Sequence, residues 1–197
     1  MRAALLSSLV IIIVAIELAA CASLSTSDDD LPLTRQVCPY SSAENREVRA
    51  TLSLQTAGRI EEYFLAIRAA QNLTDIAILA PQGIPVYSIH CSVTGTDVSS
   101  QARLTGGVQP ELMLSYLEMI FLSEDDLRKL LKPQWTLEAH EDRRLLAKYS
   151  VDGQVVSEIQ IAYLGDAPWF KEVKLEDSQH GTTLVLVTLG GPLDLPE

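Results

Sequence analysis

The chain has 197 residues, is 47% hydrophobic and carries a formal net charge of -11 from 15 basic and 26 acidic side chains. That length and apolar content suffice for one domain with a sizeable core. The acidity excludes nucleic acid as a partner and disfavours docking on anionic lipid through a basic patch.

Met1 to Cys21 follows the order of a bacterial secretory signal. Arg2 supplies a basic start, Ala3 to Ile16 is an uncharged apolar run, and Leu18-Ala19-Ala20-Cys21 follows. The run is shorter than the roughly 20 residues of a membrane span. Leu-Ala-Ala before a cysteine resembles a lipobox, which implies cleavage before Cys21 and diacylglycerol on its thiol. The alternatives are an ordinary cleaved signal and an uncleaved anchor. Several acyl chains hold a protein on a membrane stably, where one does so only marginally. Ala22 and Ser23 follow the cysteine, and the Asp that would resemble an inner-membrane retention signal is absent. The expected location is therefore the periplasmic face of a Gram-negative outer membrane, with lipidated Cys21 as the anchor. The domain plan is signal peptide 1–20, flexible Ser/Thr/Asp-rich tether 21–35, and one domain over 36–197.

Beyond Cys21 only Cys38 and Cys91 remain. An even pair in an oxidising compartment suggests a disulfide, with two separate buried thiols as the alternative. His90 adjoins Cys91 without metal-ligand spacing, so no metal site is expected.

Alternation with period two marks strands. Val48, Ala50, Leu52 and Leu54 share one face, opposite Arg49, Thr51, Ser53 and Gln55. A turn at Ala57-Gly58 leads to a strand through Tyr63, Leu65 and Ile67. Strands over Leu73–Leu79 and Ile84–Cys91 flank a loop at Pro81-Gln82-Gly83, and Val93–Leu104 has room for one or two more. The period then lengthens. Pro110 suits a first helical position. Leu112, Met113, Tyr116, Leu117, Ile120 and Phe121 follow at helical spacing, with Glu111, Ser115 and Glu118 as a narrow polar stripe. So wide an apolar face implies a helix buried on most sides. Ser123 caps a short second helix that carries Leu127, Leu130 and Leu131 and stops at Pro133. Strands resume at Trp135. Asp152-Gly153 joins Leu145–Ser150 to Val155–Leu164, and Gln179-His180-Gly181 joins Phe170–Leu175 to Thr182–Leu189. The expected class is α+β, an antiparallel sheet with helices on one face.

No catalytic constellation is found, so no enzyme and no cofactor is expected. There is no Gly-x-Ser-x-Gly and no His-Glu-x-x-His. His140-Glu141-Asp142 and His180 read as turn residues. Trp135 and Trp169 lie near strand ends, as core or rim.

Leu79-Ala80-Pro81-Gln82-Gly83, Pro110-Glu111-Leu112-Met113-Leu114, Glu158-Ile159-Gln160-Ile161-Ala162-Tyr163 and Val173-Lys174-Leu175-Glu176-Asp177 stand in an order that resembles the LolA/LolB-like lipoprotein carriers. The order is closer still to a related, uncharacterised family of bacterial lipoproteins, DUF3261-like. The resemblance implies a curved, unclosed half-barrel sheet with helices over its concave face and an apolar space between them that takes acyl chains. Leu52, Leu54, Ile76, Ile78, Leu117, Phe121, Ile159 and Ile161 are the candidate lining. From the pattern alone, a packed core and a ligand cavity look the same. The resemblance also implies a carrier or receptor role for an acylated or lipid-like cargo, a lipoprotein or an aryl-polyene-type lipid, with a periplasmic carrier protein as a candidate partner. In the resembled receptor a loop leucine helps insert cargo. Here the loop tip is Pro81, Gln82 and Gly83, and Gln82 departs from that pattern. The alternative from another class is a non-enzymatic assembly lipoprotein that binds an envelope protein.

Overall fold

A computed structural model describes residues 31–34, 46–70, 73–92, 95–100, 108–165 and 170–189. The chain divides into two units, Met1–Asp30 and Leu31–Glu197, and all described residues belong to the second.

The strands are β1 (Arg46–Thr56), β2 (Arg59–Ala70), β3 (Leu73–Leu79), β4 (Pro85–Ser92), β5 (Gly95–Ser100), β6 (Trp135–Ala139), β7 (Arg143–Tyr149), β8 (Val155–Leu164), β9 (Glu172–Asp177) and β10 (Thr182–Thr188). Two helices, α1 (Pro110–Phe121) and α2 (Glu124–Leu130), stand between β5 and β6. The strands form one antiparallel sheet in the order β5-β4-β3-β2-β1-β10-β9-β8-β7-β6. It is therefore two five-strand meanders fused where β1 pairs with β10, and unclosed, with β5 and β6 at its edges. The architecture is the α+β arrangement expected from the sequence.

Because side chains alternate along a strand and paired residues share a face, the register carries one apolar face across the whole sheet. Ile89 opposes Ile76, Ile76 opposes Ile67, and Ile67 opposes Val48. Leu52 opposes Leu186, Leu186 opposes Val173, and Val173 opposes Tyr163. These residues are buried. The other face carries Arg49, Arg68, Lys174 and Gln160, all exposed.

The first turn has positive φ at both central residues, Ala57 at 48° and Gly58 at 76°, as a two-residue hairpin requires. Glycine accepts that region freely and alanine does not. β3 and β4 are joined by a loop in which Gly83 donates to the Ala80 carbonyl at 2.8 Å and Ala80 donates to the Ile84 carbonyl at 2.8 Å. β4 begins at Pro85, one residue later than the alternation suggests. Proline has no N–H to give a ladder and so suits a strand's first position. Ile84 is left in the loop, and exposed.

Leu31–Thr34 forms part of the domain, although composition places it in the tether 21–35. Leu33 is buried and pairs with Leu131, Thr34 donates to the Leu130 carbonyl, and Lys132 donates to the Pro32 carbonyl. Its two leucines had apolar surface to bury, and the end of α2 offered both that surface and unpaired backbone groups.

Candidate functional site: the apolar face and its helical cover

α1 lies against the apolar face. Leu112 through Ile120 are buried without interruption. Of the expected polar stripe only Glu111 is exposed; Ser115 and Glu118 are interior. A buried carboxylate requires a partner, and Glu118 has one.

Polar side chains from four strands fasten α1. Tyr87 of β4 donates to the Val108 carbonyl just before the helix, at 2.8 Å. Tyr116, in mid-helix, donates to Asp177 Oδ2 at the end of β9, at 2.8 Å. Arg144 of β7 donates to the Met119 carbonyl at 2.7 Å, and Tyr163 of β8 donates to the Ile120 carbonyl at 3.0 Å. The last carbonyls of a helix lack partners within it and carry partial negative charge. The last turn of α1 has no basic residue of its own, so the sheet supplies the cation. The Arg144 guanidinium also lies 5.4 Å from the centre of the Tyr163 ring, which in turn packs on Phe170. Burial pushes the Tyr163 hydroxyl up to about 12, with Arg144 opposing. Arg128 fixes α2 in the same way, donating to the Leu137 carbonyl of β6 at 2.8 Å.

The densest polar cluster is at the β9–β10 turn. Asp177 is 3% exposed. Its Oδ1 accepts from the backbone N–H of Gln179 and His180, and its Oδ2 from Tyr116 and, at 2.8 Å, from His180 Nδ1. Burial raises its pKa, but the His180 hydrogen bond and charge, with the Tyr116 hydroxyl, outweigh burial and hold the carboxyl below its ordinary value of 3.8. Burial, and then the Asp177 charge, push the Tyr116 phenol far up. His180 was expected only as a turn residue. The structure makes it the outer member of a chain running from the rim of the sheet to the middle of α1.

The eight candidate lining residues come together on this face. Leu52, Leu54, Ile76, Ile78, Leu117, Ile159 and Ile161 are buried, and Phe121 is half-buried at the end of α1. Beside Phe121 and Phe170, over Val48, Ala50, Val173 and Leu186, a space of about 10 Å³ remains. Larger hollows lie on the opposite face, which no described element covers. One of about 650 Å³ crosses β2 to β5 over Ala66, Ala77, Ser88 and Ser99, beside an ion pair of His90 with Asp75 at 2.6 Å. Another of about 340 Å³ lies over β7, β8 and β9.

Pro81, Gln82 and Gly83 are exposed at a loop tip. Cys91 is disulfide-bonded and buried, and the Thr96 hydroxyl lies 3.4 Å from its sulfur. Cys38, its expected partner, and Cys21 lie outside the described residues, as does Trp169. His140, Glu141 and Asp142 form an exposed bend. Among the described residues no three His, Cys, Asp or Glu side chains are grouped to hold a metal ion. Among them, too, no helix is long and apolar enough to cross a membrane.

Fold and site thus define a domain in which an open sheet's apolar face is covered by one buried helix. The chain belongs to the family described as "Protein of unknown function (DUF3261)", whose profile matches residues 47–190. No curated protein matches it by sequence. Among solved structures it is similar to a domain described as outer membrane lipoprotein-sorting, from Vibrio parahaemolyticus. That match has 9% identity and a TM-score of 0.42, and covers 81% of this chain and 89% of that one. A second is a DUF1329 family protein from Desulfovibrio piger, with 6% identity and a TM-score of 0.33, covering 76% of this chain and 85% of that one.

Proposed function

We propose that this protein is a lipid-anchored carrier or receptor for an acylated or lipid-like cargo in the periplasm, held at the outer membrane by Cys21, and that it performs no covalent chemistry. The observation that carries the reading is an apolar face spanning ten strands beneath one main helix. A sheet needs apolar cover on one face, and a helix of twelve residues held by a few hydrogen bonds is a cover that can be displaced. In this reading the covered face is the concave one. The cargo enters between α1 and the sheet and meets Leu52, Leu54, Ile76, Ile78, Leu117, Phe121, Ile159 and Ile161. Acyl chains replace the contacts that α1 makes in the closed state, so displacement exposes little apolar surface to water. The sequence resemblance to the LolA/LolB-like carriers and the signal at Cys21 support the same reading.

The test is mass spectrometry of lipid extracted from the purified mature protein, with the covalent anchor accounted for by intact mass. A co-purifying acyl lipid or lipoprotein that is lost in Leu117→Asp supports the carrier. A protein free of lipid that retains an envelope protein instead would favour an assembly role.

A further inference from the structure

We propose that the end of the sheet carrying the β1–β2, β3–β4, β7–β8 and β9–β10 turns is a membrane-contacting rim, with the β7–β8 hairpin as its principal contact. The turns at 57–58, 80–84, 150–154 and 178–181 all lie at one end, because each joins strands whose directions alternate around the β1–β10 pair. Among the described residues, exposed large apolar side chains concentrate there. Ile60 stands in β2 beside the first turn, Ile84 lies in the second, and Val151 lies in the third with Tyr149, Val155 and Val156 flanking it. Val151 stands at the tip at 106% exposure. The opposite end has Leu164, Val187 and Leu189, and Phe64 lies on the uncovered face between. Exposed valines at a tip have no packing role, and clustered exposed apolar surface marks a contact with something apolar.

The register supplies part of the cause. It shifts between Lys148 and Tyr149, so that Tyr149 opposes Val155 and Lys148 opposes Ser157. Val156 is the extra residue of this bulge. A bulge re-aims side chains and bends its strand. Here both Val155 and Val156 are exposed, where strict alternation would have buried one.

The occupant follows from where the chain joins the domain. Leu31–Thr34 runs beside Leu130–Lys132. Those residues precede β6 at the end where β7 finishes, since Tyr149 donates to the Gln134 carbonyl. The chain therefore leaves the domain at the rim that carries the valines. Nine residues lie between Cys21 and Leu31, and the ten steps from one to the other span at most about 35 Å. With Cys21 lipidated, a premise taken from the proposed function, the tether joins the domain at this rim. The protein is acidic and Asp152 sits at the tip, so the matching surface is zwitterionic lipid with accessible acyl chains, not an anionic headgroup.

The full chain, purified from membranes and reconstituted in phosphatidylcholine vesicles with brominated acyl chains, tests this. Val151→Trp should lose emission to bromine, Leu164→Trp at the opposite end should not, and the tryptophans common to both cancel in the comparison. Adding Val156→Asp to Val151→Trp should lower the loss severalfold, while melting stays that of the parent because position 156 is exposed. Equal quenching at 151 and 164, or none at 151, overturns the proposal. So does a blue shift at 151 without bromine dependence, which would mean that a second copy of the chain covers the rim. Intact mass separates the two readings. An unacylated mature chain defeats the anchor, and the same quenching with vesicles added to free protein then decides the rim alone.

Discussion

The strands β1–β5 and β6–β10 are built alike, as five-strand meanders presenting one apolar face, yet they hold the helical cover differently. The first contributes one described polar tie to α1, from Tyr87 to the carbonyl before the helix. The second contributes Asp177, Arg144 and Tyr163, with Arg128 fixing α2 to β6. Apolar contact is tolerant of sliding, whereas a buried hydrogen bond fixes both position and angle. Among the described ties, more fasten the cover to the second meander than to the first.

The strongest way to break this asymmetry is Asp177→Ala. It removes the acceptor of four donors, the buried Tyr116 hydroxyl among them, which should cost about 3–5 kcal/mol in urea unfolding. Hydrogen exchange should quicken in Leu112–Ile120 before it does in β1–β3. Acid acts on the same group. Because the folded Asp177 pKa lies below its ordinary 3.8, its contribution is complete above about pH 4 and fades as pH falls through the lowered value. A melting temperature that drops below pH 4, and drops less in Asp177→Asn, is the expected result.

Leu54→Ala probes the first meander, where fewer ties to the cover are described. It should cost about 2–5 kcal/mol, as deletions in packed interiors do. A bound acyl cargo should recover part of that loss, which thermal melting with and without lipid would measure. Tyr163→Phe and Tyr87→Phe sharpen the comparison at a smaller scale, each costing about 0.5–1.5 kcal/mol. The first should loosen the end of α1 and the second its beginning, as exchange at Met119–Leu122 against Val108–Leu112 would report. Smallest is Ala57→Gly, which relieves an alanine at φ 48° and should add about 0.5–1 kcal/mol by denaturant melting. It should leave exchange in α1 unchanged, since that turn does not touch the fastening.

Most of the strands were legible because burial imposes period two, and α1 because its apolar positions follow a period of 3.6. Leu52 and Ile159 could be placed on one face without knowing that β1 pairs with β10 and not with β8. The fastening was not legible. Tyr116 and Asp177 are 61 residues apart, and neither breaks a local pattern. Tyr116 fits the apolar stripe of α1, and Asp177 fits a turn. His180 likewise reads as turn chemistry until the fold brings α1 over it. At Ile84 and Leu33 the sequence pattern and the structure differ for a local reason. A proline delays one strand, and a pair of leucines in a polar stretch finds a helix end that the sequence does not reveal.

The strand order has a kinetic consequence. Eight of the nine pairings join strands that are neighbours along the chain, and only β1 with β10 joins the two ends. Each meander can zip from its own turns at small loop-closure cost, whereas the seam must bring together segments separated by both meanders and both helices. The seam is thus expected to close last. Until it does, β1 and β10 each present an unpaired edge lined with Leu52, Leu54, Leu184 and Leu186. Such an edge can pair with that of another molecule, so the period before closure is the one in which a chaperone is most useful and aggregation most dangerous.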